Sequence, residues 1–154
     1  MEHGLDGYNE LKQIFIQKID KMALKYKELT EEIIAAFYEV YNDLGFGFLE
    51  KIYQNSMYFE LLDRGMKVEA QKPINVYRKN RRVGEYFADL VVNDLIIIEL
   101  KAAELLTTKH EAQLVNYLKA TDVEVGLLFN FGVEPEFERK FWENHLKKRN
   151  QKPT

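Results

Sequence analysis

Asp89, Glu99 and Lys101 are the residues of this chain whose types and spacing could do chemistry. Glu99 and Lys101 stand two apart in "DLIIIELKA" (Asp94 to Ala102), whose three isoleucines suit a strand covered on both faces. Residues two apart in a strand point the same way. The strand therefore ends with a carboxylate and an ammonium side by side, charges that cost free energy wherever water is excluded. Whether Asp89 joins them depends on the hairpin before this strand. A two-residue loop, Asn93-Asp94, would pair Val92 with Leu95 and turn Asp89 to the face of Ile98. A three-residue loop, Val92 to Asp94, pairs Val91 with Leu95, sets Asp89 opposite Ile97 and puts Asp89 on the face of Glu99. Asn and Asp tolerate the left-handed backbone such a loop requires, so the three-residue form, or an equivalent bulge, is expected.

Two crowded carboxylates repel each other unless a cation sits between them. Hard oxygen donors in that arrangement suit Mg²⁺, or Mn²⁺ in its place, ions that keep several waters and also bind substrate phosphate. A neighbouring ammonium would neutralise charge building up on a phosphoryl group. The plainer meaning of the spacing is a surface ion pair at a strand end with Asp89 unrelated, and spacing alone favours it. Two more stretches bear on the choice. "GFLEKIY" (Gly47 to Tyr53) puts Glu50 in the first turn of a helix, although a helix dipole by itself accounts for an acid there. "QLVNY" puts Gln113 and Tyr117 at i and i+4 on one helix face, a pattern also met in a core tyrosine with a polar neighbour.

The elements that must position these residues follow from periodicity. Residues 1–10 read as a loose tail, and Leu11 to Tyr26 as a helix with Leu11, Ile14, Phe15, Ile19, Met22 and Tyr26 on one side. A second helix is expected from Thr30, its N-cap, to Leu44, with Ile33, Ile34, Phe37, Val40 and Tyr41 inward. "GFGF" breaks it, because Gly45 and Gly47 can take backbone angles that other residues avoid. Phe48 to Arg64 is the third helix, with Leu49, Ile52, Tyr53, Met57, Leu61 and Leu62 inward and Gly65 as its stop. Strands are expected at Ile74 to Arg78, Val83 to Val92 and Leu95 to Lys101, with "RKNRR" (Arg78 to Arg82) as a basic turn. Met66 to Gln71 is an edge piece, cut off by Pro73. Thr107 or Thr108 caps a helix to about Ala120, a strand covers Glu124 to Asn130, and Glu136 to Lys148 reads as an amphipathic helix using Phe137, Phe141 and Trp142. Helix, three meandering strands, helix and strand make an α/β fold with a mixed sheet, carrying extra helices at both ends.

The chain's 154 residues suit one domain, and 46% hydrophobic with 31% charged residues is ordinary for a globular protein. The longest apolar run, Ile33 to Tyr38, is far too short to span a bilayer, so no membrane role is expected. "MEHGLDGYNE" lacks the pattern of a secretory signal, and the absence of cysteine excludes disulfides and thiolate metal sites. The cytoplasm is the default location. A net charge of -3 gives no global attraction for nucleic acid, so any phosphate-binding surface must be a local patch. Arg78, Lys79, Arg81 and Arg82 in the turn, with Lys109 and His110 at a helix start, are the candidates, though charged turns are commonly just solvated. The three histidines lie too far apart for a zinc motif, and no GxxxxGKS or GxGxxG occurs, so no nucleotide cofactor is implied.

Taken together, "GFLEKIY", "QKPINVYRKNRRVGEYFADLVVNDLIIIELKA", "HEAQLVNYLKAT" and "VGLLFNFGV" resemble the GxxExxY family within the PD-(D/E)XK nuclease superfamily. The likeness covers roughly Thr30 to Val133, with several stretches in the right order and spacing. It implies a restriction-endonuclease-like αβββαβ core over 30–133, an N-terminal helical extension over 1–29, and a C-terminal helix and tail over 134–154. It carries the superfamily's metal-binding acids onto Asp89 and Glu99 and its lysine onto Lys101. Glu50 resembles the additional acid on the first core helix, and Gln113 and Tyr117 the QxxxY element of the RecB-like branch. Phe46 stands where relatives often have proline, and Ala88 replaces the proline of the nominal "PD"; neither supplies a ligand.

The resemblance implies metal-dependent hydrolysis of phosphodiester bonds in nucleic acid, DNA foremost. Asp89 and Glu99, helped by Glu50 and the backbone carbonyl of Leu100, would hold one or two Mg²⁺ ions that activate a water. An ordinary lysine is almost wholly cationic at neutral pH, so Lys101 suits orienting the water and stabilising charge better than acting as a base. Gln113 could hydrogen-bond Lys101, water or substrate, and Tyr117 could steady its helix or touch phosphate. A homodimer is conceivable, because cutting both strands of a duplex needs two sites. Two other readings stand beside this one: the same fold gripping nucleic acid without cutting it, or a protein-interaction role through the N-terminal helix or the Phe137/Phe141/Trp142 segment. Superfamily membership does not by itself prove activity.

Overall fold

The computed structural model describes the backbone of residues 2–147 and the side chains of 4–18 and 25–147. Its contacts divide the chain into two compact units, Met1–Glu32 and Ile33–Thr154. The first holds α1 (Glu2–Leu24) and the opening turn of α2 (Lys27–Leu44). Helix α1 therefore starts at Glu2, and the expected loose tail at 2–10 is helical. Leu11, Ile14 and Phe15 are exposed on it, while the side chains of Ile19 and Met22 lie outside the described residues. Tyr26, with φ of 55°, breaks the chain between the two helices. Thr30 does not cap α2 but sits inside its first turn, its hydroxyl donating back to the carbonyls of Tyr26 and Lys27. A threonine hydroxyl can serve either end of that choice, and sequence alone does not decide it.

In the second unit α2 is followed by α3 (Glu50–Asp63), β1 (Val68–Arg78), β2 (Arg81–Val92), β3 (Ile96–Lys101), α4 (Thr108–Lys119), β4 (Val125–Phe131), β5 (Pro135–Phe141) and a 3₁₀ turn, Asn144–Leu146. The sheet runs β1-β2-β3-β4-β5, antiparallel throughout except for the parallel pair β3–β4, which α4 connects. This is the mixed α/β sheet expected. One face is closed by aromatic stacking: Phe37 of α2 lies 4.4 Å from Phe129, and Tyr53 of α3 lies 4.1 Å from Phe131. On the other face Leu114, Tyr117 and Leu118 of α4 cover Val91, Ile97 and Leu128. The isoleucines of β3 are thus buried from both sides, as their composition requires. Of the positions expected inward on α3, only Tyr53, Met57 and Leu61 are buried; Leu49, Ile52 and Leu62 are exposed.

Two strand readings change. Met66 to Gln71 is not a separate edge piece, because β1 runs unbroken through Pro73, which pairs with Phe87. A proline is tolerated there because β1 is an edge strand, so its missing N–H can face outward. The expected C-terminal helix is wrong over its described part: Pro135–Phe141 is a strand paired antiparallel with β4. Phe137 and Phe141 are four apart, a spacing that keeps one face in a strand as well as in a helix. The open edge of β4, which would otherwise leave buried backbone groups without partners, settles the matter. The expected fraying end beyond Lys147 lies outside the described residues.

Phe129 is fully buried in the aromatic layer, so Phe129→Ala should cost about 3–5 kcal/mol. Equilibrium urea unfolding measures this as a lowered midpoint.

Candidate active site at the parting of two strands

Strands β2 and β3 pair only from Leu90↔Ile98 to Val92↔Ile96. Asn93 and Asp94, with φ of 52° and 57°, turn the hairpin in the left-handed region through a three-residue loop, Asn93 to Leu95. The parity expected from sequence holds, but the register sits one step away. Val92 pairs with Ile96, so Asp89 falls level with Glu99 instead of Ile97. At that level the ladder opens, and side chains occupy the gap. The N–H of Asp89 donates to Glu99 Oε1 at 3.0 Å, and the N–H of Leu100 donates to Asp89 Oδ2 at 2.8 Å. Beyond the fork, β2 continues with β1 alone, as a two-stranded ribbon from Lys72↔Ala88 to Arg78↔Arg81.

The fork crowds acids out of water. Glu99 is only 4% exposed. Burial first, and the charge of Asp89 second, push its pKa up to about 9. Burial also raises Asp89, against hydrogen bonds from the Leu100 N–H and the carboxyl of Glu99. The two carboxyls therefore titrate as a coupled pair, in which burial and mutual repulsion work against ionising both. Glu50 opens α3 with no side-chain cap from Leu49. Gly45 and Gly47, with φ of 66° and 106°, make the turn that delivers it. Partial burial raises its pKa, the charge of Lys101 opposes this, Asp89 adds to it, and the Ala102 N–H hydrogen-bonds the carboxylate. Glu50, Asp89, Glu99 and Lys101 are therefore brought into one electrostatic neighbourhood.

Gln113 Nε2 donates to Tyr117 Oη at 2.8 Å, which leaves the tyrosine proton free for another acceptor. The Tyr117 pKa is pushed up to about 12 by burial and then by the charge of Glu99, so α4 presents its hydroxyl to the acids in neutral form. His110 has a different job from the one its place in the basic patch suggested. Its Nδ1 accepts from the Thr107 N–H, and Thr107 Oγ1 accepts from the His110 N–H, a reciprocal cap for α4. Burial and the charges of Lys101 and Lys109 depress its pKa, which keeps Nδ1 an acceptor. Arg78, Lys79, Arg81 and Arg82 lie at the far end of the ribbon, exposed, with Arg82 3.5 Å from Glu85.

Three residues of the neighbourhood carried no usable sequence signal. Gln71 has a left-handed φ of 53° within β1, level with Asp89, and its amide reaches Gln54 Oε1 at 2.7 Å and Asp89 Oδ1 at 3.4 Å. Asn130 is fully buried and grips the backbone of Ala103 twice, accepting from its N–H at 2.9 Å and donating to its carbonyl at 3.0 Å. A Cβ on Gly132 would stand 2.8 Å from the Ala103 carbonyl oxygen, so only glycine lets the segment after Lys101 lie so close. Asn and Gly in "FNFG" were visible, but nothing in the sequence tied them to residues 103–104.

Among the described residues, no group of three or more His, Asp or Glu side chains is placed to enclose a metal ion. Two buried carboxyls that repel each other would both be relieved by a cation, and oxygen donors suit Mg²⁺ or Mn²⁺. Asp89 and Glu99 are the side chains that would hold such an ion. A family model described as the PD-(D/E)XK nuclease superfamily matches residues 27–140. No curated protein and no solved structure matches the chain.

In metal-free protein the raised Glu99 pKa fixes a pH dependence. Folded protein holds the proton more tightly than unfolded protein, so this stabilising contribution is complete below about pH 4.5 and is lost as pH rises toward about 9. Glu99→Gln keeps the acceptor for the Asp89 N–H but cannot ionise. In EDTA at pH 8 it should be more stable than the parent by about 1–4 kcal/mol in urea unfolding, with a flatter pH slope. An unchanged slope would place the titrating group elsewhere.

Proposed function

We propose that this chain, which belongs to the PD-(D/E)XK nuclease superfamily, hydrolyses phosphodiester bonds in nucleic acid, DNA foremost, with Mg²⁺ or Mn²⁺ held at the fork. The observation that carries this reading is the pair of carboxyls, Asp89 and Glu99, turned together into the buried fork by the N–H groups of Leu100 and Asp89, within reach of the charge of Lys101. Two repelling carboxyls are a costly choice of acceptor for two backbone N–H groups unless a cation offsets the repulsion.

Asp89 and Glu99 supply the anionic oxygens, the Leu100 carbonyl is a further neutral donor, and Glu50 approaches from the start of α3 to bind through water. The chemistry such an ion supplies is polarisation of the phosphoryl group and acidification of a water molecule. Lys101 points its charge toward the same region, orienting the attacking water and stabilising charge on the phosphoryl oxygens. Tyr117, protonated at neutral pH, donates to Glu99 or to a phosphate oxygen, and Gln113 fixes its ring by the 2.8 Å hydrogen bond. Gln71 holds Asp89 from the β1 side. Arg78, Lys79, Arg81, Arg82 and Lys109 meet the backbone of the nucleic acid, each contact adding to the salt dependence of binding.

One observation favours the alternative of a module that binds without cutting. Asp89 and Glu99 already accept backbone N–H groups, so the fork is hydrogen-bonded without any ion. The distinction is experimental. Purified protein is incubated with single-stranded, duplex and branched DNA and with RNA, in Mg²⁺, Mn²⁺ or EDTA. Cleavage should require the metal and should fall by about 10²-fold or more in Asp89→Ala and in Lys101→Ala. Cleavage that survives both substitutions comes from a contaminant, and binding with no cleavage in any metal selects the module.

A further inference from the structure

Between the β1–β2 ribbon and α4 lies a cleft of about 640 Å³, with Lys101 in its lining. Val76 and Tyr86 of the ribbon form one wall, and Lys109, Gln113, Tyr117 and Lys119 of α4 form the other. The Tyr86 ring is half exposed, at 50%, and its inner edge leans on Tyr117 with centroids 5.5 Å apart. A tyrosine braced from behind and open in front is a platform for a flat ring. The cleft lining is cationic, with Lys101 and Lys109 in a chain whose net charge is -3, while Lys119 lends the wall its stem and sets its ammonium 4.6 Å over the Trp142 ring. The volume lies within the range of about 300–1,000 Å³ that encloses a small ligand, and a base-paired helix, whose major groove alone is about 12 Å wide, does not fit inside it.

We propose that this cleft takes an unpaired nucleotide strand, one base stacked on Tyr86 and a phosphate on Lys109, so that the strand runs past Lys101 into the fork. The substrate class is therefore single-stranded nucleic acid, or the unpaired part of a branched or frayed one, in preference to continuous duplex. This deepens the nuclease reading and rests on it for the meaning of the fork. The cleft's preference is nevertheless a binding property that can be measured without cleavage. Aromatic stacking is tolerant of base identity, so little sequence preference is expected.

The test uses the full chain in EDTA, with a fluorescein-labelled 15-nucleotide strand, the same sequence as a blunt duplex, and a strand carrying 2-aminopurine. The single strand should bind more tightly than the duplex, and 2-aminopurine fluorescence should be quenched on binding. Tyr86→Ala should weaken single-strand binding about tenfold and abolish the quenching, Tyr86→Phe should retain both, and Lys109→Glu should weaken binding without restoring fluorescence in the residual complex. Circular dichroism verifies the fold of each variant. Should Tyr86→Ala unfold, loss of quenching in Tyr86→Leu against its retention in Tyr86→Phe carries the same decision. Equal or tighter binding of the duplex, or quenching that survives loss of the ring, overturns the inference even if the protein cuts DNA. Tyr86-dependent binding of the single strand without any cleavage upholds it while the hydrolytic reading fails.

Discussion

Where β2 parts from β3, two backbone N–H groups lose the carbonyls that a continued ladder would supply, and the carboxyls of Asp89 and Glu99 take them. Buried N–H groups must find acceptors, so the acids hold the fork open and the fork holds the acids in place. The same geometry packs two carboxyls into a region poor in water, where only one can ionise freely. A proton or a cation would relieve the repulsion between them. Structural need and chemical readiness thus come from the same two hydrogen bonds.

Everything around the fork fixes its shape. The aromatic layer that joins α2 and α3 to β4 sets where Glu50 enters. Asn130 and Gly132 pin the backbone just beyond Lys101, which fixes the end of β3 from the outside. At the level of Asp89, Gln71 holds a left-handed backbone that costs an ordinary residue about 1 kcal/mol or more. Ala88 and Val91, three apart, pack in the same cluster under α4, although strict alternation would separate them. Between them lies the step at which Gln71, twisted into the left-handed region, interrupts the pairing between Ala70↔Leu90 and Lys72↔Ala88.

Much of this was legible in the residues because the relevant constraints are local. The β3 isoleucines announced a strand covered twice, the left-handed tolerance of Asn93 and Asp94 fixed the hairpin's parity, and the pair Thr107-Thr108 marked the start of α4, of which Thr107 is the cap. What escaped depends on partners far away in the chain. The exact register of β2 against β3 follows from packing over the whole sheet, which is why Asp89 was expected opposite Ile97. Phe137 and Phe141 satisfy two periods at once, and only the open edge of β4 selects the strand. The amide of Gln71 gained its role from a twist that no spacing reveals, and that of Asn130 from a loop 27 residues earlier. Glu50 was placed correctly at a helix start, but the glycines that aim it fix its direction through backbone angles, not side-chain pattern.

The central claim is that a hard divalent cation takes the place of a proton on the coupled pair Asp89 and Glu99. Isothermal titration of Mn²⁺ at pH 7, in two buffers of different ionisation enthalpy, tests it most directly by counting protons expelled per ion bound. The parent protein should release about one, and Glu99→Gln should release close to none while binding far more weakly. Binding with no proton release, or the same release from Glu99→Gln, would contradict the account.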